Sequence, residues 1–264
     1  MPKENSQLSL MNASGFAFQL AVEDAIPVGN SWPYCEILAR EHPWKNRYTG
    51  REGFIDIIVK KGIFRFVIEC KRNKNGIWQF LMVESPDMPK FGAHIMWSVP
   101  FSESEKAAQW DEIRLKPGSP ESQFCTVRGS GEGQVSMLDK TGSSVVEATE
   151  ALAHEELTYE KNYFGNESVY VPVIVTNAEL ELGSFETREF DLKSGRVQKA
   201  NFEPISHIRY RKALTVHDEE VGPAVTSIRE SNRHSQKTVF VVNATELSNW
   251  LLEFETGPRD PFHD

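Results

Sequence analysis

Apolar residues recur along this chain with two spacings, one suited to strands and one to helices. Between Gly53 and Arg72, two runs of β-branched and aromatic residues, Phe54 to Val59 and Phe64 to Cys70, flank Lys60-Lys61-Gly62. This predicts a hairpin, with Gly62 supplying the tight turn. Trp32 to Arg40 predicts an earlier strand, paired with Phe54 to Val59 across a loop at His42 to Gly53. Ile77 to Val83 and His94 to Val99 predict further strands. Val169 to Val175 is almost continuously apolar, which predicts a strand covered on both faces. Pro172 must then lie near its start or where the ladder needs no donor. Thr238 to Asn243 predicts a second buried strand.

The helical spacing is plainest in three places. Ser9 to Ile26 predicts a helix with Leu10, Phe16, Leu20 and Ile26 on one buried side and Gly15 as a weak point. Ser143 to Asn162 predicts a longer one, capped by Ser143 or Ser144, with Glu147 completing a capping box from Ser144. Its face is Val146, Thr149, Ala153 and Leu157, and Glu150, Glu155, Glu156 and Glu160 fall on a solvated side. Thr245 to Glu255 predicts a closing helix, capped by Thr245 or Asn243, with Leu247, Trp250, Leu251 and Phe254 inward. The pattern is poorest between Ser102 and Gly142. There Glu103 to Leu115 is helical or irregular, and Gln123 to Val127 is a strand. Arg128 to Gly133 is glycine-rich but lacks the Lys-Ser/Thr ending of a phosphate loop. Asp218 to His234 reads as a loop or short helix. The expected organisation is one α/β domain over residues 1–264, with its core in 9–100 and 166–255 and an inserted segment at 102–165.

Composition narrows the class. The chain has 264 residues, 39% hydrophobic and 25% charged, as in a globular protein. No apolar run approaches the roughly 20 residues of a membrane span. Cys35, Cys70 and Cys125 are odd in number and far apart, which argues against a disulfide framework or a structural zinc site. Met1 to Leu10 carries no basic-then-apolar leader, so a cytoplasmic location is expected. The net charge of −9 argues against a nucleic-acid coat protein. Charge is uneven, however. Residues 40–75 hold ten Lys or Arg against four Asp or Glu, a local +6. That segment is either a basic surface suited to phosphates or charge scattered over a solvated face. His207, Arg209 and Arg211 alternate along Ile205 to Leu214, either offering cations to a phosphate backbone or lining a solvated strand.

The polar residues of the hairpin are out of place for a plain structural element. Asp56 interrupts the first apolar run and Glu69 nearly ends the second. A buried carboxylate needs a partner or a metal. Glu69 and Lys71 share a strand face, and pairing around Gly62 brings Asp56 close to Glu69. The 13 residues from Asp56 to Glu69, followed by Glu69-Cys70-Lys71, resemble the active-site signature of the PD-(D/E)XK nucleases, the restriction-endonuclease-like superfamily. Ile55 stands where the motif's name has Pro. The match covers about twenty residues, and a salt-bridged structural hairpin is the plain alternative.

The resemblance implies a mixed central sheet flanked by helices and a phosphodiesterase requiring Mg²⁺ or Mn²⁺. Asp56 and Glu69 would be the metal carboxylates, with the Cys70 carbonyl a third ligand, and Lys71 would position or deprotonate water. The family often has an acid on the preceding helix. Gln19 holds that place here and can offer a metal or water only a neutral oxygen. Glu23 is one turn later, and Glu36 faces either the site or solvent. The expected partner is nucleic acid, chiefly DNA, in restriction, repair or defence, with a homodimer or larger assembly allowed and no membrane. The other class of reading is a non-catalytic nucleic-acid-binding or assembly subunit that keeps the fold.

Overall fold

The computed structural model describes residues 6–29, 34–73, 76–82, 89–100, 106–127, 137–159, 167–214, 227–228, 232 and 235–257. Trp32, Lys74, Val83, Arg128 to Gly133, Glu160 and most of Asp218 to His234 lie outside them. The frame is a mixed sheet of ten strands. Its main path runs β1 (Glu36–Lys45), β2 (Glu52–Lys61), β3 (Phe64–Lys71), β9 (Ser168–Thr176), β15 (Gln236–Asn243), β14 (His207–Ala213) and β7 (Glu121–Ser122). β1, β2 and β3 are antiparallel neighbours, whereas β3, β9 and β15 run parallel. β5 (Lys90–Pro100) pairs with the start of β9 and with β6 (Lys106–Ser119), and β6 with β16 (Glu255–Thr256). A smaller sheet orders β13 (Asn201–Ile205), β10 (Glu179–Ser184), β4 (Ile77–Met82) and β8 (Phe124–Val127). β11 (Phe190–Asp191) and β12 (Arg196–Val197) form a hairpin apart from both.

Two apolar layers hold helices on the two faces of the main sheet. On one face α3 (Met137–Tyr159) packs Val145, Val146, Leu152 and Ala153 against Ile58, Val67, Ile174 and Val241, and the small sheet adds Trp78, Phe80, Leu180 and Leu182. On the other, α2 (Phe16–Asp24) brings Val22, and α4 (Leu247–Glu253) brings Leu247, Trp250 and Leu251, onto Ile57, Phe66, Ile68, Val173 and Phe240. All nine residues of β9 are buried, as its unbroken apolar run predicts. Pro172 sits mid-strand, opposite Val67 of β3. On the other side of β9, β5 covers residues 168–170 and β15 covers 173–176. Pro172 falls in the gap between them, where no donor is missed.

Several expectations are corrected. The first helical stretch breaks at Gly15, whose φ is 81°, into α1 (Ser6–Ala13) and α2. The phase of the two pieces does not join. Leu10, Phe16 and Leu20 are 75%, 62% and 65% exposed, and only Ile26 of the expected face is buried. β1 begins and ends later than the sequence suggests, running to Lys45 and so into the first part of the expected loop. Glu103 to Leu115 is mostly strand, within β6. The segment 102–165 carries β6, β7, β8 and α3, which pack into both sheets. α3 starts at Met137, so Ser144 and Glu147 form no cap; Ser143 instead donates to the Leu214 carbonyl at 2.6 Å. The acids of α3 are not all on a solvated side. Glu147 and Glu150 are buried, against Arg51 and against Asn46 and Trp110. Glu156 takes the Tyr170 hydroxyl. Both readings of the His207–Arg211 strand are overturned, because β6 and β7 cover its arginines. Arg209 is wholly buried and donates to Ser119 and to the Leu115 and Pro117 carbonyls, and Arg211 pairs with Glu112.

Candidate active site at the fork of a hairpin

The β2–β3 hairpin turns on Gly62 and Ile63, with Gly62 at φ 59°, as a type II′ turn requires at its first central position. Pairing runs from Lys61 opposite Phe64 to Ile57 opposite Ile68, and there the strands part. β3 continues beside β9 to Lys71 opposite Thr176, and β2 continues beside β1 to Glu52 opposite Lys45. Asp56 and Glu69 stand at the start of the two arms of this fork. A side chain spans the gap where the ladder stops. Asp56 Oδ2 accepts the Cys70 N–H at 2.6 Å. In a strand, the N–H and C=O of one residue point to the same side. The Cys70 carbonyl therefore opens on the fork as well, while its thiol packs at the margin of the α2–α4 layer. Burial pushes that thiol's pKa up, which leaves it no role as a nucleophile.

Glu69 and Lys71, two apart on one face, meet at 2.6 Å between Oε1 and Nζ. Their side chains are 18% and 34% exposed, so solvent and a ligand can reach the pair. Asp56 is half-buried. Burial first, then the Glu69 charge, push its carboxyl up to about 6; Glu41 adds to this, and the Cys70 N–H and Lys71 oppose it. Asp56 Oδ1 and Glu69 Oε2 have no hydrogen-bond or ion-pair partner among the described residues.

Glu41 is the residue the sequence reading missed. Arg40 lies opposite Ile57 and His42 opposite Ile55, so Glu41 stands across from Asp56. Its φ is 47°, a left-handed conformation costing a non-glycine residue roughly 1–2 kcal/mol. β2 is irregular at the same level. Ile55 packs in the α3 layer and Ile57 in the opposite one, where strict alternation would put them together. Gln19 of α2 ties the two irregularities together. Its Nε2 donates to Glu41 Oε1 at 2.6 Å and to the Asp56 carbonyl at 3.1 Å. Gln19 thus reaches the site, but with its amide nitrogen rather than the oxygen expected of it.

Other candidates lie apart. Glu23 is held by Arg40 through two hydrogen bonds of 2.5 and 2.7 Å, which pull its carboxyl below the usual range. Glu36 is exposed, opposite Lys60. Gln79 donates to Glu181 in the small sheet. Five of the ten cations of the basic stretch are occupied internally. Arg40, Arg51, Lys61, Arg65 and Lys71 engage Glu23, Glu147, the end of α4, Glu156 and Glu69. Lys45 and Arg47 make no ion pair among the described residues. No three His, Cys, Asp or Glu side chains among those residues stand together as a metal-ligand set. The main-chain carbonyl at the fork is outside that count. No protein-family model, curated protein or solved structure matches the chain. No helix of the described residues is long and apolar enough to cross a membrane.

Proposed function

We propose that this chain is a metal-dependent nuclease of the restriction-endonuclease-like type, hydrolysing phosphodiester bonds in DNA. The observation that carries the reading is the fork. It gathers Asp56, Glu69 and Lys71 where two strands separate, with one oxygen of each carboxylate unpartnered among the described residues and the Cys70 carbonyl on the side of the gap. The mixed sheet with helices on both faces suits that fold. Hard oxygen donors of this kind suit Mg²⁺ or Mn²⁺, which keep several waters and so need few protein ligands. The bound ion would supply polarisation of a phosphate oxygen and an acidified water. Lys71 holds a cation beside Glu69, where it orients the attacking water and offsets charge growing on the phosphate. Gln19 keeps Glu41 and the Asp56 main chain in register. The test is cleavage of plasmid and single-stranded DNA with Mg²⁺ or Mn²⁺, with Lys71→Ala as control. A folded wild-type protein that cleaves nothing, or a Lys71→Ala protein that cleaves equally well, sinks the proposal.

A second reading, an assembly subunit, is favoured by one observation. α1 and α2 leave Leu10, Phe16 and Leu20 exposed together with Met11 and Leu8, a larger run of apolar side chains than a lone surface helix needs. Light scattering decides it: a strictly monomeric mass at high concentration removes this reading.

A further inference from the structure

We propose that the turn after β1 and the middle of α3 form a binding site for one base of a single-stranded DNA segment, at a distance from the fork. The inference rests on the nuclease reading and adds a contact which that reading does not assign. A cleft of about 390 Å³ opens between the turn and the helix, and Lys45, Arg47, Tyr48, His154 and Thr158 line it. The size falls in the range of small-ligand sites.

The turn is built to hold its tip still. Asn46 is 1% exposed. Its Oδ1 accepts from the Tyr48 and Thr49 N–H groups at 2.9 and 3.0 Å, and its Nδ2 donates to Glu150 at 3.0 Å. Thr49 and Arg51 both reach Glu147 on α3. Arg47 and Tyr48 are thereby presented from a fixed loop, and a ligand need not order that backbone.

What they present is flat and cationic. The Arg47 guanidinium lies 4.5 Å from the centre of the Tyr48 ring. His154 also neighbours the ring, edge to face at 6.0 Å. Burial, with Arg47 adding, pushes the His154 pKa down to about 4, so the imidazole is neutral. An aromatic platform with a guanidinium is the chemistry that stacks nucleobases in single strands. Arg47 donates one N–H to the Tyr48 hydroxyl, and Lys45 and the other Arg47 N–H groups are left for phosphates, because the nearby α3 acids are already engaged: Glu147 by Arg51, Glu150 by Asn46 and Trp110, Glu155 by His42 and Tyr159. Glu41 and Lys45 are four residues apart on β1, about 13 Å along the strand. One extended strand of nucleic acid spans both places. A duplex hides the faces of its bases, so the ligand that fits is a single strand.

The test is fluorescence anisotropy in EDTA, with a labelled single strand of about 12 nucleotides, on wild type, Tyr48→Leu and Arg47→Gln. Thermal melts of both variants should match wild type, since both side chains project from the turn. Tyr48→Leu should weaken binding about tenfold. Arg47→Gln should weaken it and lower the salt slope by about one. 2-Aminopurine placed along the strand should be quenched at one position by wild type and not by Tyr48→Leu. Wild-type affinity in both variants would overturn the inference. So would full displacement of the strand by free AMP at equimolar concentration, which would make the cleft a nucleotide site. So would equal affinity for a blunt duplex with the same losses. Strand binding with these losses but no cleavage by wild type would sustain this site and remove the nuclease reading. Cleavage with unchanged binding would do the reverse.

Discussion

The two ends of the β2–β3 hairpin each hold a lysine, and the lysines do different things. At the turn, Lys61 is buried, and its ammonium donates to the carbonyls of Leu251, Leu252 and Phe254 at 2.7 to 2.9 Å. Phe64, Phe66, Trp250 and Phe254 pack beside it, mostly edge to face. Every proton of that ammonium has an acceptor. At the fork, Lys71 meets one carboxylate and stays partly open to solvent, and Asp56 is crowded by Glu69 and Glu41. One end closes its polar accounts; the other leaves carboxylate oxygens unpartnered among the described residues and like charges close together. The same residue types serve stability at one end and, in the function proposed, chemistry at the other, and the partners decide which.

Substitutions sharpen this contrast. The largest effect expected is on cleavage. Asp56→Asn keeps shape and removes one charge, and the rate should fall by about a thousandfold or more, measured on plasmid with Mg²⁺. Equal rates would dissolve the distinction between the ends. Next is Lys61→Met, which leaves the α4 carbonyls without their donor. It should cost about 3 kcal/mol in urea unfolding, and the cleavage rate per folded molecule should not change. A loss of rate without loss of stability would move Lys61 into the site.

The third effect has the opposite sign. The Asp56 carboxyl titrates at about 6 in the fold, against 3.8 for an ordinary aspartate. Between those values the folded protein holds a proton that the unfolded chain has released. Stability from this group is therefore present below about 3.8 and is lost as pH rises through about 6. Asp56→Asn should accordingly raise stability by on the order of 2 kcal/mol at pH 7.5 in EDTA, with little gain at pH 3.5. A mutant less stable at both pH values would instead mark Asp56 as a structural salt-bridge partner. The smallest effect is Gln19→Ala. It should cost about 1 kcal/mol and lower cleavage a few-fold, by loosening Glu41 and the Asp56 main chain. No change in either assay would leave Gln19 an ornament of the helix.

The motif residues were legible because a hairpin has simple arithmetic. Gly62 marks the turn, and counting outward brings Asp56 opposite Glu69. Glu41 was not legible. It follows the stretch that reads as strand, precedes His42-Pro43, and meets Asp56 only because a register shift between Ile37 and Ala39 feeds a strand that runs on to Lys45. The arginines of β14 misled for another reason. Polar alternation marks which residues share a face, and cannot say whether another layer will cover that face. Here β6 and β7 supply carbonyls and acids to Arg209 and Arg211. The acids of α3 misled in the same way, since their partners Asn46, Arg51 and Trp110 are all distant in sequence.

The Lys61 clasp also sets an order of events during synthesis. Its acceptors are made 190 to 193 residues after it. At about 5–20 residues per second, the ribosome needs tens of seconds or less to deliver them. Until then the ammonium stays hydrated and the aromatic cluster lacks Trp250 and Phe254. β3 likewise waits about a hundred residues for β9. The hairpin that bears the fork is thus translated early and locked late, and a nascent chain holds its carboxylates in a loosely fixed ribbon until α4 emerges.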